Sequence, residues 1–163
     1  VAGVDLVVSE GIADPQRLGV MGQSYGGFMT AWLVTRSNRF SAAVAISPVT
    51  DWYSQHHSSN IGHWDQLFLC DDPTAAGEYL KRSPIMFAGD AKTPTLLTAG
   101  ERDRCTPPGQ AIEYYGALEA AGVEAELALY PEEGHGVGNF PATIDFFTRC
   151  VHWFEHHLRA PDG

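Results

Sequence analysis

The sequence predicts an α/β fold: about four mainly parallel strands flanked by helices. Three features of the 163-residue chain carry that reading. Short β-rich apolar runs alternate with longer helical ones, the order that builds βαβ units and a parallel sheet. A glycine–serine–glycine turn stands between the first of those strands and the helix after it. An apolar stripe of helical period closes the chain. Hydrophobic residues make up 44% and charged residues 18% of the sequence, ordinary for a globular protein, and the length suits one domain.

The elements follow in order. Val1 to Glu10 reads as a helix with Val4, Val7 and Val8 on one side and Gly11 as its stop, although its β-branched residues would also suit a strand. Asp14-Pro15 marks a turn. Arg17 to Gly22 is a short strand, and Tyr25 to Thr35 is apolar nearly all round, as a buried helix is. Ala42 to Ile46 and Pro94 to Ala99 are the next two strands. Thr106 is placed to cap a helix with Pro107 at its first position, Ile112, Tyr115 and Leu118 on one face and Gly122 as its end. Glu124 to Tyr130 alternates like a strand near a sheet edge. Ile144, Phe147, Val151, Phe154 and Leu158 are spaced 3, 4, 3 and 4, which predicts a final helix packed by that stripe. Asp51 to Asp90 shows no clear period and is expected to fold as short helices and loops over one end of the sheet.

Charge narrows the function. Ten basic against twenty acidic side chains leave a formal charge of −10, which argues against nucleic acid and anionic membrane surfaces as partners. No apolar run approaches the ~20 residues of a membrane span, and no basic-then-apolar segment opens the chain. Cys70, Cys105 and Cys150 are odd in number and widely spaced, which suits free thiols and a cytoplasmic location.

Gly22-Gln23-Ser24-Tyr25-Gly26 is the pattern G-x-S-x-G. At average composition such a string arises by chance roughly once in twenty chains of this length, so its context decides. Between a strand and a helix it reads as a nucleophile elbow, a sharp turn that needs small residues on both sides of Ser24. The backbone N–H of Tyr25 would then face a developing oxyanion. A glycine-rich turn whose serine merely caps the helix would carry the same string. What separates the two is a base and an orienting acid, which in this arrangement follow in the order serine, acid, histidine on loops after strands. Asp103 follows the strand Pro94 to Ala99, and His135 follows the strand Glu124 to Tyr130. Both lie at carboxyl ends of strands, where open α/β sheets bind ligands. An imidazole, with an ordinary pKa near ~6.5, suits a general base. Glu101, Asp71, Asp72, Glu132 and Glu133 are rival acids that read better as surface charge or as loop residues on the wrong side of the ring. His56, His57 and His63 lack a nearby cysteine or carboxylate at zinc-ligand spacing, so no metal and no cofactor is expected. His152 and His156 read as polar positions near a helix C-terminus, and Cys105 as an inert thiol.

With those residues in place the chain resembles the catalytic domain of the prolyl oligopeptidase family, in its acylaminoacyl-peptidase-like branch. The resemblance runs through Asp14 to Val20, Gly22 to Gly27, Ser83-Pro84-Ile85, Thr93 to Leu97, Gly100 to Asp103 with Gln110, Tyr130 to Gly136 and Trp153-Phe154. It implies a serine peptidase acting on short or N-acylated peptides, with Ser24 as nucleophile, Asp103 as acid and His135 as base. It also implies that Trp52, Tyr53 and Trp64 border a substrate pocket, though aromatics there would equally pack a small subdomain onto the sheet. The family's sheet is larger, so the chain is expected to be the C-terminal part of a catalytic α/β-hydrolase domain, residues 1–163, without its upstream half-sheet and β-propeller. The strand Arg17 to Gly22 is then expected at an exposed edge, and the chain to need its N-terminal segment or to self-associate as a homo-oligomer. Two rivals share the triad's residues: a carboxylic-ester hydrolase, and a non-catalytic remnant serving as an assembly module.

Overall fold

The computed structural model describes residues 2–159. Helix α1 (Ala2–Ser9) stops at Gly11, whose φ of +70° suits a residue without a side chain. Then come β1 (Gly19–Gln23), α2 (Tyr25–Val34), β2 (Ala42–Ile46) and three short helices: α3 (Trp52–Ser58), α4 (Asp65–Leu69) and α5 (Gly77–Lys81). The chain closes with β3 (Thr95–Gly100), α6 (Gly109–Ala120), β4 (Ala125–Tyr130) and α7 (Ala142–His157). The four strands pair in the order β1-β2-β3-β4, all parallel. Within this sheet β1 and β4 are the edges, and Met21 on β1 is exposed.

Alternation along the strands sorts side chains onto two faces. Ala43, Ala45, Leu97 and Ala99 pack under α2 and α6 with Ala31, Val34, Tyr114 and Leu118. Ala42, Val44, Ile46 and Leu96 pack on the other face against Phe146, Cys150 and Trp153 of α7. Every residue of β2 and β3 is buried, as expected for the centre of a parallel sheet covered on both sides. A third cluster, Phe28, Val49, Trp52, Leu69 and Tyr79, anchors the short helices of residues 52–81 to α2.

Three expectations are corrected. The stripe assigned to the last helix is borne out only at its C-terminal end: Phe154 and Leu158 pack against the core, but Ile144, Phe147 and Val151 are more than half exposed, and Phe146, Cys150 and Trp153 are the buried residues. In α6 the buried face is Gln110, Ala111, Tyr114 and Leu118, and Ile112 is exposed. Thr106 does not cap α6, which starts after Pro108; its hydroxyl is used elsewhere.

A buried polar lattice ties α6 to the region after β2. Gln110 Oε1 accepts from the backbone N–H groups of Thr50 and Asp51, and its amide donates to Ser54. Ser54 in turn donates to Glu113. Burial, helped by the nearby Asp51 charge and opposed by the Ser54 hydrogen bond, pushes the Glu113 carboxyl up to about 7. Its folded value lies above its unfolded one near ~4.3, so folding takes up a proton between them, and the cost of ionised Glu113 is full above pH 7. Glu113→Gln is therefore expected to raise Tm at pH 8 and to lose that gain as pH falls towards 4.5. An equal change in Tm at both pH values would contradict this account of Glu113.

Candidate active site

Ser24 occupies the turn between β1 and α2 with φ 59° and ψ −118°, a conformation that side chains rarely adopt. The turn is held from both sides. The Ser24 N–H donates to the carbonyl of Ile46 (2.9 Å), and its own carbonyl accepts from Phe28 N–H in the first turn of α2. A Cβ on Gly22 would lie 2.4 Å from the Gly26 carbonyl oxygen, and one on Gly27 would lie 2.7 Å from that of Ile46. Gly26 is different: a Cβ there meets nothing within 4 Å, so Gly22 and Gly27 are the tight positions. As the first residue of α2, Tyr25 has an N–H with no intrahelical partner, free to meet a negative oxygen.

The carboxyl ends of β3 and β4 bring Asp103 and His135 together. His135 Nδ1 lies 2.8 Å from Asp103 Oδ2. Asp103 is 4% exposed, and its other oxygen accepts from the N–H groups of Cys105 (2.8 Å) and Thr106 (3.0 Å). Thr106 Oγ1 lies 3.0 Å from Asp103 Oδ2, 2.9 Å from the Ser47 carbonyl oxygen and 3.2 Å from His135 Nδ1. Thr106, which with Pro107 after it reads in sequence as a helix cap, instead forms this junction. Ser47 itself has φ 41°, a second strained residue at the same end of the sheet.

The histidine loop is braced rather than loose. A Cβ on Gly100 would fall 2.2 Å from the Gly134 carbonyl oxygen, so β3 and the loop are in backbone contact. Arg102 N–H donates to the Glu133 carbonyl. The Glu133 side chain accepts from the N–H of Gly138, the N–H of Asn139 and the Asn139 amide, and the Gly138 bond leads in holding its carboxyl below the usual range. Glu132 instead pairs with Arg102 at the surface. Gln23, next to Ser24, donates its amide to the His135 carbonyl and so joins the elbow to this loop. Among the described residues Ser24 and His135 share no direct hydrogen bond; their loops are adjacent, and such contacts often close only around substrate.

A cavity of about 240 Å³ opens beside Ser24 and Tyr25, with Val49, Trp52, Gln55, Ile61, Trp64, Asp65, Cys105 and Thr106 around it. Of the aromatics assigned to a pocket, Trp52 is fully buried and Trp64 lies at the rim. Tyr53 is not in the wall; its ring packs edge-on against His57 (4.6 Å). Burial, then the Asp103 charge, pushes the Cys105 thiol up, which makes it a poor nucleophile. His56 Nδ1 lies 2.8 Å from Asp65, a carboxylate partner nine residues away in sequence. Glu124, just before β4, and His156 and His157 of α7 bring potential metal-ligand atoms within 4.8 Å of one another, apart from the cavity beside Ser24. Among the described residues no helix is long and apolar enough to cross a membrane.

Comparison with known proteins bears on the family and the fold. A profile described as the prolyl oligopeptidase family matches residues 1–161. The chain is 38% identical over 150 residues to the uncharacterized peptidase YuxL of Bacillus subtilis, covering 89% of this chain and 23% of that protein. It is 34% identical over 164 residues to the acylamino-acid-releasing enzyme of Rattus norvegicus, covering 95% of this chain and 22% of that one. Among solved structures, the acylaminoacyl peptidase of Pyrococcus horikoshii superposes with a TM-score of 0.91 at 29% identity, over 98% of this chain and 27% of that one. The chain thus spans about a quarter of the length of such relatives.

The elbow's packing separates its two outer glycines experimentally. Gly22→Ala is expected to destabilise by about 1–3 kcal/mol, the usual cost of forcing atoms into a packed site. Gly26→Ala should lose nothing, because open space surrounds the added methyl. Thermal melts of the two variants check this, and equal losses would show that the elbow packs otherwise.

Proposed function

We propose that this chain, which belongs to the prolyl oligopeptidase family, carries the nucleophile, base and acid of a serine peptidase that cleaves short or N-acylated peptides. The observation that carries the proposal is the 2.8 Å contact between His135 Nδ1 and the buried Asp103 carboxylate, set beside a strained serine elbow. The similarity to an acylamino-acid-releasing enzyme and an acylaminoacyl peptidase supports the substrate class.

In this mechanism His135 holds its proton on Nδ1 against Asp103 and offers a bare Nε2. Ser24 Oγ attacks the peptide carbonyl carbon while Nε2 takes the hydroxyl proton. The carbonyl oxygen becomes an oxyanion and accepts from the Tyr25 N–H, a donor that needs no reorganisation. Collapse breaks the C–N bond, and His135 passes its proton to the departing amine. The acyl group is left as an ester on Ser24. Water then attacks that ester, gives a proton to His135, and releases the acid as the proton returns to Ser24 Oγ. Asp103 orients the ring and stabilises its cationic form without taking the proton.

The coverage of the relatives supports reading residues 1–163 as part of a larger catalytic unit, in which a segment outside this chain supplies the second oxyanion donor and pairs with the edge of β1. Loss of one such donor costs about 100- to 1,000-fold in rate.

The decisive test is covalent. A fluorophosphonate should label wild-type Ser24 in the complete gene product and leave Ser24→Ala unlabelled. The same substitution should lower turnover of an acyl-alanine anilide by about a thousandfold or more. Retention of a tenth of the activity would remove Ser24 as nucleophile. An inert wild-type Ser24 would favour a non-catalytic assembly module. Turnover of nitrophenyl esters alone would favour an esterase.

A further inference from the structure

Two buried polar side chains, Asp65 and Gln55, border the cavity beside Ser24. Asp65 is 2% exposed, and its Oδ1 accepts from the Tyr79 hydroxyl (2.7 Å) and faces His56 Nδ1 (2.8 Å). Its Oδ2 is buried and has no hydrogen-bond partner in the protein. Gln55, 4% exposed, donates its amide to the Cys105 carbonyl (2.7 Å), which fixes the amide's orientation and leaves Oε1 buried and unpartnered. Both residues border the cavity. Two buried acceptors without donors, one of them on a carboxylate, are costly unless a ligand brings donors to them. Among the described residues no lysine or arginine lies within ion-pair distance of Asp65; His56 is its one such neighbour.

We infer that this cavity selects a basic side chain, lysine or arginine, on the residue whose carbonyl Ser24 attacks, with Asp65 reading the charge and Gln55 accepting a second hydrogen bond. The inference rests on the peptidase reading above, which defines that carbonyl. The cavity is about 240 Å³, below the ~300–1,000 Å³ of sites for whole small molecules and of a size for one side chain. Val49, Trp52 and Trp64 line it with apolar surface that suits an alkyl stem, and aromatic faces attract a cation. An apolar side chain of the same length would fill the space and leave both oxygens dry; an acidic one would meet Asp65 as a like charge.

The cavity also lies on the acyl side of the scissile bond. The departing amine must reach His135 to collect its proton, yet His135 is not part of the cavity wall. Ser24 and Tyr25 are, so the space adjoins the carbonyl carbon and the oxyanion position rather than the leaving group.

The test compares lysine with norleucine, which keeps the stem and lacks the ammonium. With N-acetyl-X-anilides and the complete gene product, kcat/KM is expected to favour lysine over norleucine by at least about tenfold, since a site built to bond a polar group rejects the analogue lacking it. Asp65→Asn should shrink that ratio by a similar factor, and the ratio cancels any general loss of active protein. Because Asp65 holds Tyr79 and His56, Gln55→Leu serves as a second variant, with a smaller fall in the ratio expected. Calorimetry on Ser24→Ala with the lysyl and norleucyl peptides reads selectivity without turnover. Tighter lysyl binding alongside no hydrolysis by wild type would overturn the peptidase reading and leave only the cavity's preference for a basic side chain. Norleucine equal to or better than lysine in binding and turnover, or a ratio unmoved by Asp65→Asn, would overturn the inference.

Discussion

The candidate site depends on one buried carboxylate. Asp103 follows the fully buried β3 and gathers the N–H groups of Cys105 and Thr106 on one oxygen, with Thr106 Oγ1 and His135 Nδ1 beside the other. A charge taken out of water is tolerable only when it is met by donors in this way. The consequence is geometric. The end of β3, the approach to α6 and the loop after β4 are held to one another through a single side chain. The imidazole thus has its orientation before any substrate arrives, which is the condition for electrostatic preorganisation.

Backbone strain surrounds that junction. Ser24 and Ser47 both have positive φ, at the ends of the neighbouring strands β1 and β2. Neither conformation would persist in a free peptide, and each is over-determined by its surroundings. Ser24 N–H is bound to Ile46, and Ser47 N–H is bound to Thr98 on β3. Gly22, Gly27 and Gly100 stand where a methyl group would strike backbone, so the turns cannot relax apart. The four-stranded parallel sheet is the frame that makes such strain sustainable, and the strain is what lifts the serine to the helix N-terminus.

Much of this was legible in the sequence, for identifiable reasons. The four strands, α2 and the order of Ser24, Asp103 and His135 follow from apolar runs and from glycines at sharp turns, both local signals. The faces of α6 and α7 were less legible. Phe146, Cys150 and Trp153 repeat with a helical spacing as good as that of Ile144, Phe147 and Val151, one residue out of phase. Period alone cannot choose between two adjacent stripes; the sheet does. Thr106 looked like a cap because Pro107 follows it, yet its hydroxyl is committed to the Asp103 junction by contacts 3 and 59 residues away in sequence. Asp65 and Gln55 carried no local signal at all. Their meaning arises only when residues 52–81 fold back and bury them beside Ser24, and the same folding turns Tyr53 away from the cavity.

In the proposed mechanism Asp103 sets the tautomer of His135, leaving Nε2 bare to accept the serine proton. Long-range nitrogen–proton correlation spectra of the ¹⁵N-histidine-labelled protein, above the imidazole titration, read this directly. The account predicts the proton on Nδ1 of His135 in the wild type and its redistribution between the two nitrogens in Asp103→Ala. A His135 resonance with the proton on Nε2, unchanged by that substitution, would contradict it.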